Sequence, residues 1–200
     1  MVKISVIIPI HPNEIAHKKL ISFFDDLKDD DIEILTCTGS GRANAMNSGV
    51  QDTQHDYLWF VHADTVLTKD HIVALRRSID VHPQRIHYFN LAFSNDGLFL
   101  TKINAIGANV RSKLFGYPWG DQALAMSREV FKKLDSYDET LNYGEDHALM
   151  IKRQKHKIKL NCISVPIQTS ARLYKEKGWF KLTCIRQYLW LKLTVKEFLK

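Results

Sequence analysis

Tyr57-Leu-Trp-Phe-Val-His62-Ala-Asp64-Thr65 is an apolar run of strand-forming residues that ends abruptly in an imidazole, a carboxylate and a hydroxyl. A buried strand delivering polar groups to the edge of a sheet reads this way. Along an extended segment residues two apart point to the same side, so His62 and Asp64 share a face. A carboxylate so placed can hold a divalent cation that substrate phosphates also hold, because magnesium and manganese often take only one or two protein carboxylates. A turn-forming Asp64 behind a strand-end His62 explains the same residues, so the neighbouring segments decide.

Upstream, residues 3–10 form a near-continuous β-branched run without alternation, as in a strand covered on both faces, and Pro9 ends it. Residues 14–27 carry Ile15, Leu20, Phe23, Phe24 and Leu27 at helical spacing with Asn13 as N-cap. Residues 32–37 give a second strand, followed by Thr38-Gly39-Ser40-Gly41-Arg42 and a helix with Ala43, Met46 and Val50 inward and Asn44 and Asn47 at its rim. The acidic run Asp29-Asp30-Asp31 reads as a solvated turn. Downstream of the opening stretch, residues 68–79 read as a helix capped by Thr68. Three strand-loop-helix units in succession predict an α/β fold with a mostly parallel sheet and right-handed crossovers. Ligands in such sheets bind beyond the carboxyl ends of the strands, so the loops 9–14, 39–42 and 62–65 should converge.

The second half departs from this rhythm. Residues 86–93 form a strand ended by the turn signal Asn95-Asp96-Gly97, and residues 98–114 a helix whose stripe Leu98, Ile103, Ile106, Val110 and Leu114 is expected to pack in the core. The loop Gly116-Tyr-Pro-Trp119-Gly120-Asp121-Gln122 sets aromatics beside a carboxylate and an amide, which suits a sugar; structural aromatics in a tight turn suit it equally. After Gly144, the pair Glu145-Asp146 opens a helix, where acids complement the dipole and where an ionised carboxylate can serve as a general base. Residues 158–166 give a last strand, and Ser170-Ala-Arg172 offers a cation.

Composition sets the class. Two hundred residues, 45% hydrophobic and 25% charged, are those of a globular protein, and the net charge of +6 favours anionic partners. Cys37, Cys162 and Cys184 are widely spaced without a C-x-x-C pair, which points to a reducing, cytoplasmic setting with neither a disulfide framework nor a zinc site. No apolar run approaches the roughly 20 residues needed to span a bilayer, and the N-terminal run is too short for a secretory signal.

The ordered set Ser5-Val-Ile-Ile-Pro9 with Asn13-Glu14, Gly41 to Gly49 (GRANAMNSG), Phe60-Val-His-Ala-Asp-Thr65, Gly107 to Ser112 (GANVRS), Gly120-Asp-Gln122, Glu145-Asp146 and Thr169-Ser-Ala-Arg172 resembles family-2 glycosyltransferases of the GT-A fold, especially small bacterial members. The resemblance implies an inverting transfer of a sugar from a UDP- or GDP-sugar to an acceptor hydroxyl. It places Asp64 with His62 at a Mn2+ or Mg2+ ion that neutralises the leaving diphosphate, and Asp146 as the base that deprotonates the acceptor. Pro9, Glu14, Gly39, Arg42, Asn47 and Arg172 fall on the donor side, and Trp119, Asp121, Gln122 and Glu145 on the acceptor or sugar side. Three departures stand out: His62 replaces the first acid of D-x-D, Pro12 adds a residue to the turn before Asn13-Glu14, and Thr36-Cys37-Thr38-Gly39 lacks the acid that usually holds the nucleotide.

The chain divides into a single domain over residues 1–178 and a basic, aromatic, amphipathic helical appendage over residues 179–200. That appendage suits the inner face of an anionic membrane, and with it a lipid-linked acceptor; packing against the domain or a second subunit suits it equally. A non-catalytic nucleotide-binding or membrane-surface module of the same fold, and a nucleotidyltransferase, remain the alternatives. No recognisable nucleic-acid motif gathers the basic residues.

Overall fold

The structure, a computed structural model, describes residues 2–11, 15–94, 96 and 98–198. In β1 (Ile4–Pro9) the side chains alternate: Ile4, Val6 and Ile8 enter the core on one side and Ile7 the core on the other. In β3 (Tyr57–Phe60) Tyr57 and Trp59 join the first core and Leu58 and Phe60 the second. A strand sandwiched this way can be apolar throughout, which is why neither run shows an apolar–polar period. β1 pairs in parallel with β3 and with β2 (Ile32–Cys37), Ile4 lying opposite both Tyr57 and Ile32.

The sheet continues through β4 (Ile86–Phe93), β5 (Ala125–Ser127) and β6 (Leu160–Thr169) to the order β2-β1-β3-β5-β4-β6. β4 and β6 are parallel, whereas β5 runs antiparallel between β3 and β4. The chain enters β5 from a tight turn at Gly120–Gln122 rather than from a crossover helix, so it can run against its neighbours.

On one face lie α1 (His17–Leu27) and α3 (Lys69–Val81), which bury Leu20, Phe24, Ile72, Leu75 and Ile79 against Trp59. On the other lie α2 (Arg42–Asp52), α5 (Arg128–Lys133) and α6 (Glu145–Lys155), through Met46, Val50, Phe131, Leu149 and Met150. The Thr68 cap of α3 is reciprocal: the Thr68 N–H donates to His71 Nδ1 at 2.9 Å. The His71 proton therefore sits on Nε2, which donates to the Pro166 carbonyl at 3.0 Å and ties the helix to β6. Asn13 and Glu14, and the turn residues Asn95 and Gly97, lie outside the described residues; α1 itself begins at His17.

The segment 98–114 corrects the sequence reading. Only Thr101–Val110 is α-helical (α4), followed by a π-helical turn over Arg111–Phe115. Its apolar stripe faces outward: Ile103, Ile106 and Leu114 are 54%, 63% and 74% exposed. The buried side is instead Thr101, Ala105, Ala108 and Ser112, small residues that let the helix lie close on β4. Asn109 completes that contact, accepting from the Leu91 N–H at 2.7 Å and donating to its carbonyl at 3.0 Å.

After α7 (Arg172–Lys177), α8 (Trp179–Phe198) packs back across the molecule. Trp179 Nε1 donates to Asn104 of α4 at 3.1 Å, and Thr194 meets His147 of α6 at 2.8 Å.

Candidate active site

Gly144 at φ 81 occupies the left-handed region that favours glycine and turns the chain into α6. Glu145 and Asp146 open that helix and are 2% and 4% exposed. Two buried carboxylates side by side repel unless a cation is shared between them. Arg42, the first residue of α2, supplies it: Nε bonds Glu145, Nη2 lies 3.2 Å from Asp146 Oδ2, and Nη1 lies 3.2 Å from His62 Nε2. A guanidinium only donates, so His62 accepts at Nε2 and carries its proton on Nδ1.

These contacts set the charges. Burial, then the cations Arg42 and Arg186, push His62 down to about 3, so it is neutral. Burial raises Asp146 to about 7, with Arg42 opposing and Glu145 adding to the rise. Asp121 is raised by burial too, against the pull of Arg111, Arg186 and Arg42. Burial disfavours the Arg42 charge, but Asp146 and Glu145 more than restore it. Gly120 is where the chain comes closest: a Cβ there would lie 2.6 Å from both Asp146 Oδ2 and His62 Nε2.

A cavity of about 190 Å³ opens over this cluster and is lined by Arg42, His62, Asp64, Trp119, Asp121 and Asp146 among others. Six sequence-predicted residues thus converge there, from the start of α2, the segment after β3, the Gly120 turn and the start of α6. Asp64 Oδ1 accepts from Thr169 Oγ1 at 3.1 Å. Among the described residues no three His, Cys, Asp or Glu side chains are grouped to hold a metal. The His62 lone pair is engaged by Arg42, so His62 could ligate an ion only if that guanidinium moved. Asp64 fits an ion that draws most of its shell from substrate phosphates and water.

Other predicted residues are placed elsewhere. Gln122 is fully buried and its amide is spent on the fold, donating to the Phe89 carbonyl at 3.0 Å and accepting from Ser112 Oγ at 2.6 Å. Asn47 donates to the Tyr137 carbonyl and to Glu139, away from the cavity. Gly39 sits in the β2–α2 turn against Ala45, Pro9 is half-buried at the end of β1, and Arg172 is exposed and pairs with Glu176 at 3.4 Å. Glu14 lies outside the described residues.

Two cations were missed. Arg111 stacks on Trp119, its Cζ 3.7 Å from the ring centroid, and Arg186 of α8 lines the cavity and lies over Tyr174. Arg186 falls seven residues after Trp179 and four before Trp190, and that spacing could have placed it on the inward side of α8.

Residues 14–155 match the family model described as glycosyl transferase family 2. Among solved structures the chain is similar to S. aureus TarS 1-349 in complex with UDP-GlcNAc, with a TM-score of 0.59 and 13% identity over 84% of this chain and 58% of that one. It is equally similar to TarS 1-349 without a named ligand, with a TM-score of 0.59 and 12% identity over 84% of this chain and 60% of that one. At that identity the likeness shows the fold, and this chain spans less than two thirds of TarS 1-349. No curated protein matches in sequence.

Proposed function

The chain belongs to glycosyl transferase family 2, and from that premise we propose that it moves a sugar from a nucleoside-diphosphate sugar to an acceptor hydroxyl with inversion at the anomeric carbon. The observation that carries this reading is Asp146. It is a buried carboxyl at a helix N-terminus, raised to about 7, bordering a cavity that Asp64 also lines. A base with a pKa near the working pH combines the ionised form with useful basicity.

In this reading the acceptor oxygen attacks the anomeric carbon while its proton passes to Asp146, and the bond from that carbon to the diphosphate breaks on the opposite side. Arg42 holds the Glu145–Asp146 pair and opposes the rise of Asp146. Trp119 and Asp121 offer a ring face and a carboxylate to the sugar. Asp64 would hold a divalent cation, Mn2+ or Mg2+, whose chemistry when bound is to neutralise the departing diphosphate. UDP is the nucleotide to test first, because TarS 1-349 was solved with UDP-GlcNAc.

Isothermal titration with UDP and GDP, with and without Mn2+, tests the donor side. Metal-dependent binding of one nucleotide, lost in Asp64→Ala, is the expected result. Binding of neither nucleotide with metal present contradicts the reading.

A further inference from the structure

Beside the Asp146 cavity lies a larger one, about 400 Å³, between α4 and α8. The two share Phe93, Trp119, Asp121, Tyr174 and Arg186, so a molecule in the larger cavity reaches the edge of the reacting site. Four buried polar atoms of residues lining it lack a hydrogen-bond partner: Trp119 Nε1, Trp190 Nε1, Arg111 Nη2 and Asp121 Oδ1. Buried polar atoms are rarely left so, and three of these four are donors, one on a guanidinium. Their complement is an oxygen-rich, anionic head.

The exposed sides of the two helices that wall this cavity are apolar and basic. On α4 and the π-helical turn after it, the exposed Ile103, Ile106, Val110 and Leu114 recur at spacings of three and four, and the exposed Lys102 and Lys113 fall four before and seven after Ile106, beside that stripe. On α8, the exposed Phe180, Tyr188, Leu191 and Val195 form a second stripe, with the exposed Lys181 and Lys192 beside it. Ile103 and Val110 belong both to the stripe and to the cavity wall. Among the described residues no helix is long and apolar enough to cross a membrane. Apolar stripes edged with lysines, wide enough to enter the headgroup region and too polar to span it, suit the surface of an anionic bilayer.

We propose that α4 and α8 dock this chain on an anionic membrane surface, and that the cavity between them receives the head of a lipid acceptor drawn from that surface. The acceptor role rests on the transferase reading. The lipid hydroxyl loses its proton to Asp146 and bonds the anomeric carbon as the bond from that carbon to the diphosphate breaks, the nucleotide leaving as its diphosphate.

Two measurements on the full chain test this. In flotation, the protein should rise with vesicles of equal phosphatidylcholine and phosphatidylglycerol and stay behind with phosphatidylcholine alone. The pairs Ile106→Glu with Leu114→Glu, and Phe180→Glu with Tyr188→Glu, should each weaken binding by at least about tenfold, because each buried methylene and each apolar contact counts. Reversing Lys102 and Lys113 to Glu should cost more than about tenfold, each lysine near the surface contributing about fivefold. All six side chains are exposed, so thermal midpoint and nucleotide titration should stay at wild-type values; loss of nucleotide binding in the wild type would sink the transferase reading and leave the docking result standing. For the cavity, dihexanoylphosphatidylglycerol below its micelle concentration should change tryptophan fluorescence saturably, and glycerol 3-phosphate should not. The docking proposal is overturned if the wild type fails to float with anionic vesicles at low salt, or if the Ile106/Leu114 variant floats like the wild type. An equal response to both small molecules, or to neither, overturns the lipid-head assignment.

Discussion

The start of α6 and the outward side of α4 invert the usual rule in opposite directions. At α6 Glu145, Asp146 and His147 are buried at 2%, 4% and 2% exposure, whereas on α4 and the turn after it Ile106, Leu114 and Phe115 stand 63%, 74% and 60% exposed. Buried charge and exposed apolar surface are each costly unless something compensates. For α6 the compensation is internal, in Arg42. For α4 the described residues offer none, which is why its partner is sought outside the chain. The lesson is that the same departure from pattern marks a reacting centre when the partner lies within the fold and a contact surface when it does not.

The largest effect should come from the buried side of this contrast. Asp146→Asn keeps the shape and removes the base, and transfer should fall by about 100-fold or more with donor affinity unchanged, read from initial rates beside a donor titration. The wild-type kcat/KM should rise with pH through about 7, since the ionised carboxylate is the active form and burial has raised it to about 7. The sign for stability is opposite. Between 3.8 and about 7 the folded protein holds on Asp146 a proton that the unfolded chain has released, so this group's contribution falls as pH climbs through that window.

Next is Gln122→Ala, which takes the Gln122 donor from the buried Phe89 carbonyl and opens a void beside Ser112, whose Oγ keeps the Ala108 carbonyl at 2.8 Å; stability should fall by about 3 kcal/mol in a denaturant series, the loss showing first as folding rather than as donor affinity. Arg42→Ala should cost less. Removing one partner of a buried ion pair costs about 3–5 kcal/mol, but the Arg42 side chain is 38% exposed and water shares its role, so about 1–3 kcal/mol is expected. The same change removes the cation that opposes the rise of Asp146, so the midpoint of the rate profile should move to higher pH. Smallest is the exposed side: Ile106→Glu with Leu114→Glu should leave the unfolding free energy within about 0.5 kcal/mol of wild type. A large loss would mean that the α4 stripe is packed after all, and would erase the contrast.

Much of the frame was legible because it rests on short-range pattern. The doubly buried runs of β1 and β3, the Thr68 cap and the loops after the strands predict where ligands meet, and the structure brings Arg42, His62, Asp64 and Asp146 together there. What the pattern did not reveal depends on long-range contact. Periodicity places Ile103, Ile106 and Val110 on one side of α4, yet Thr101, Ala105, Ala108 and Ser112 form an equally regular stripe on the other, and only the close approach to β4 chooses between them. The Arg42 bonds to Glu145 and Asp146 join residues more than a hundred positions apart. Gln122 reads as a ligand group in a loop, and becomes a structural one because Phe89 and Ser112 arrive beside it.

The most direct test of the account is nucleotide release from a panel of UDP- and GDP-sugars by the wild type and Asp146→Asn, each paired with a donor titration. The account predicts one donor that both proteins bind alike, from which the variant releases nucleotide about 100-fold more slowly or worse. Release by Asp146→Asn at the wild-type rate would contradict it.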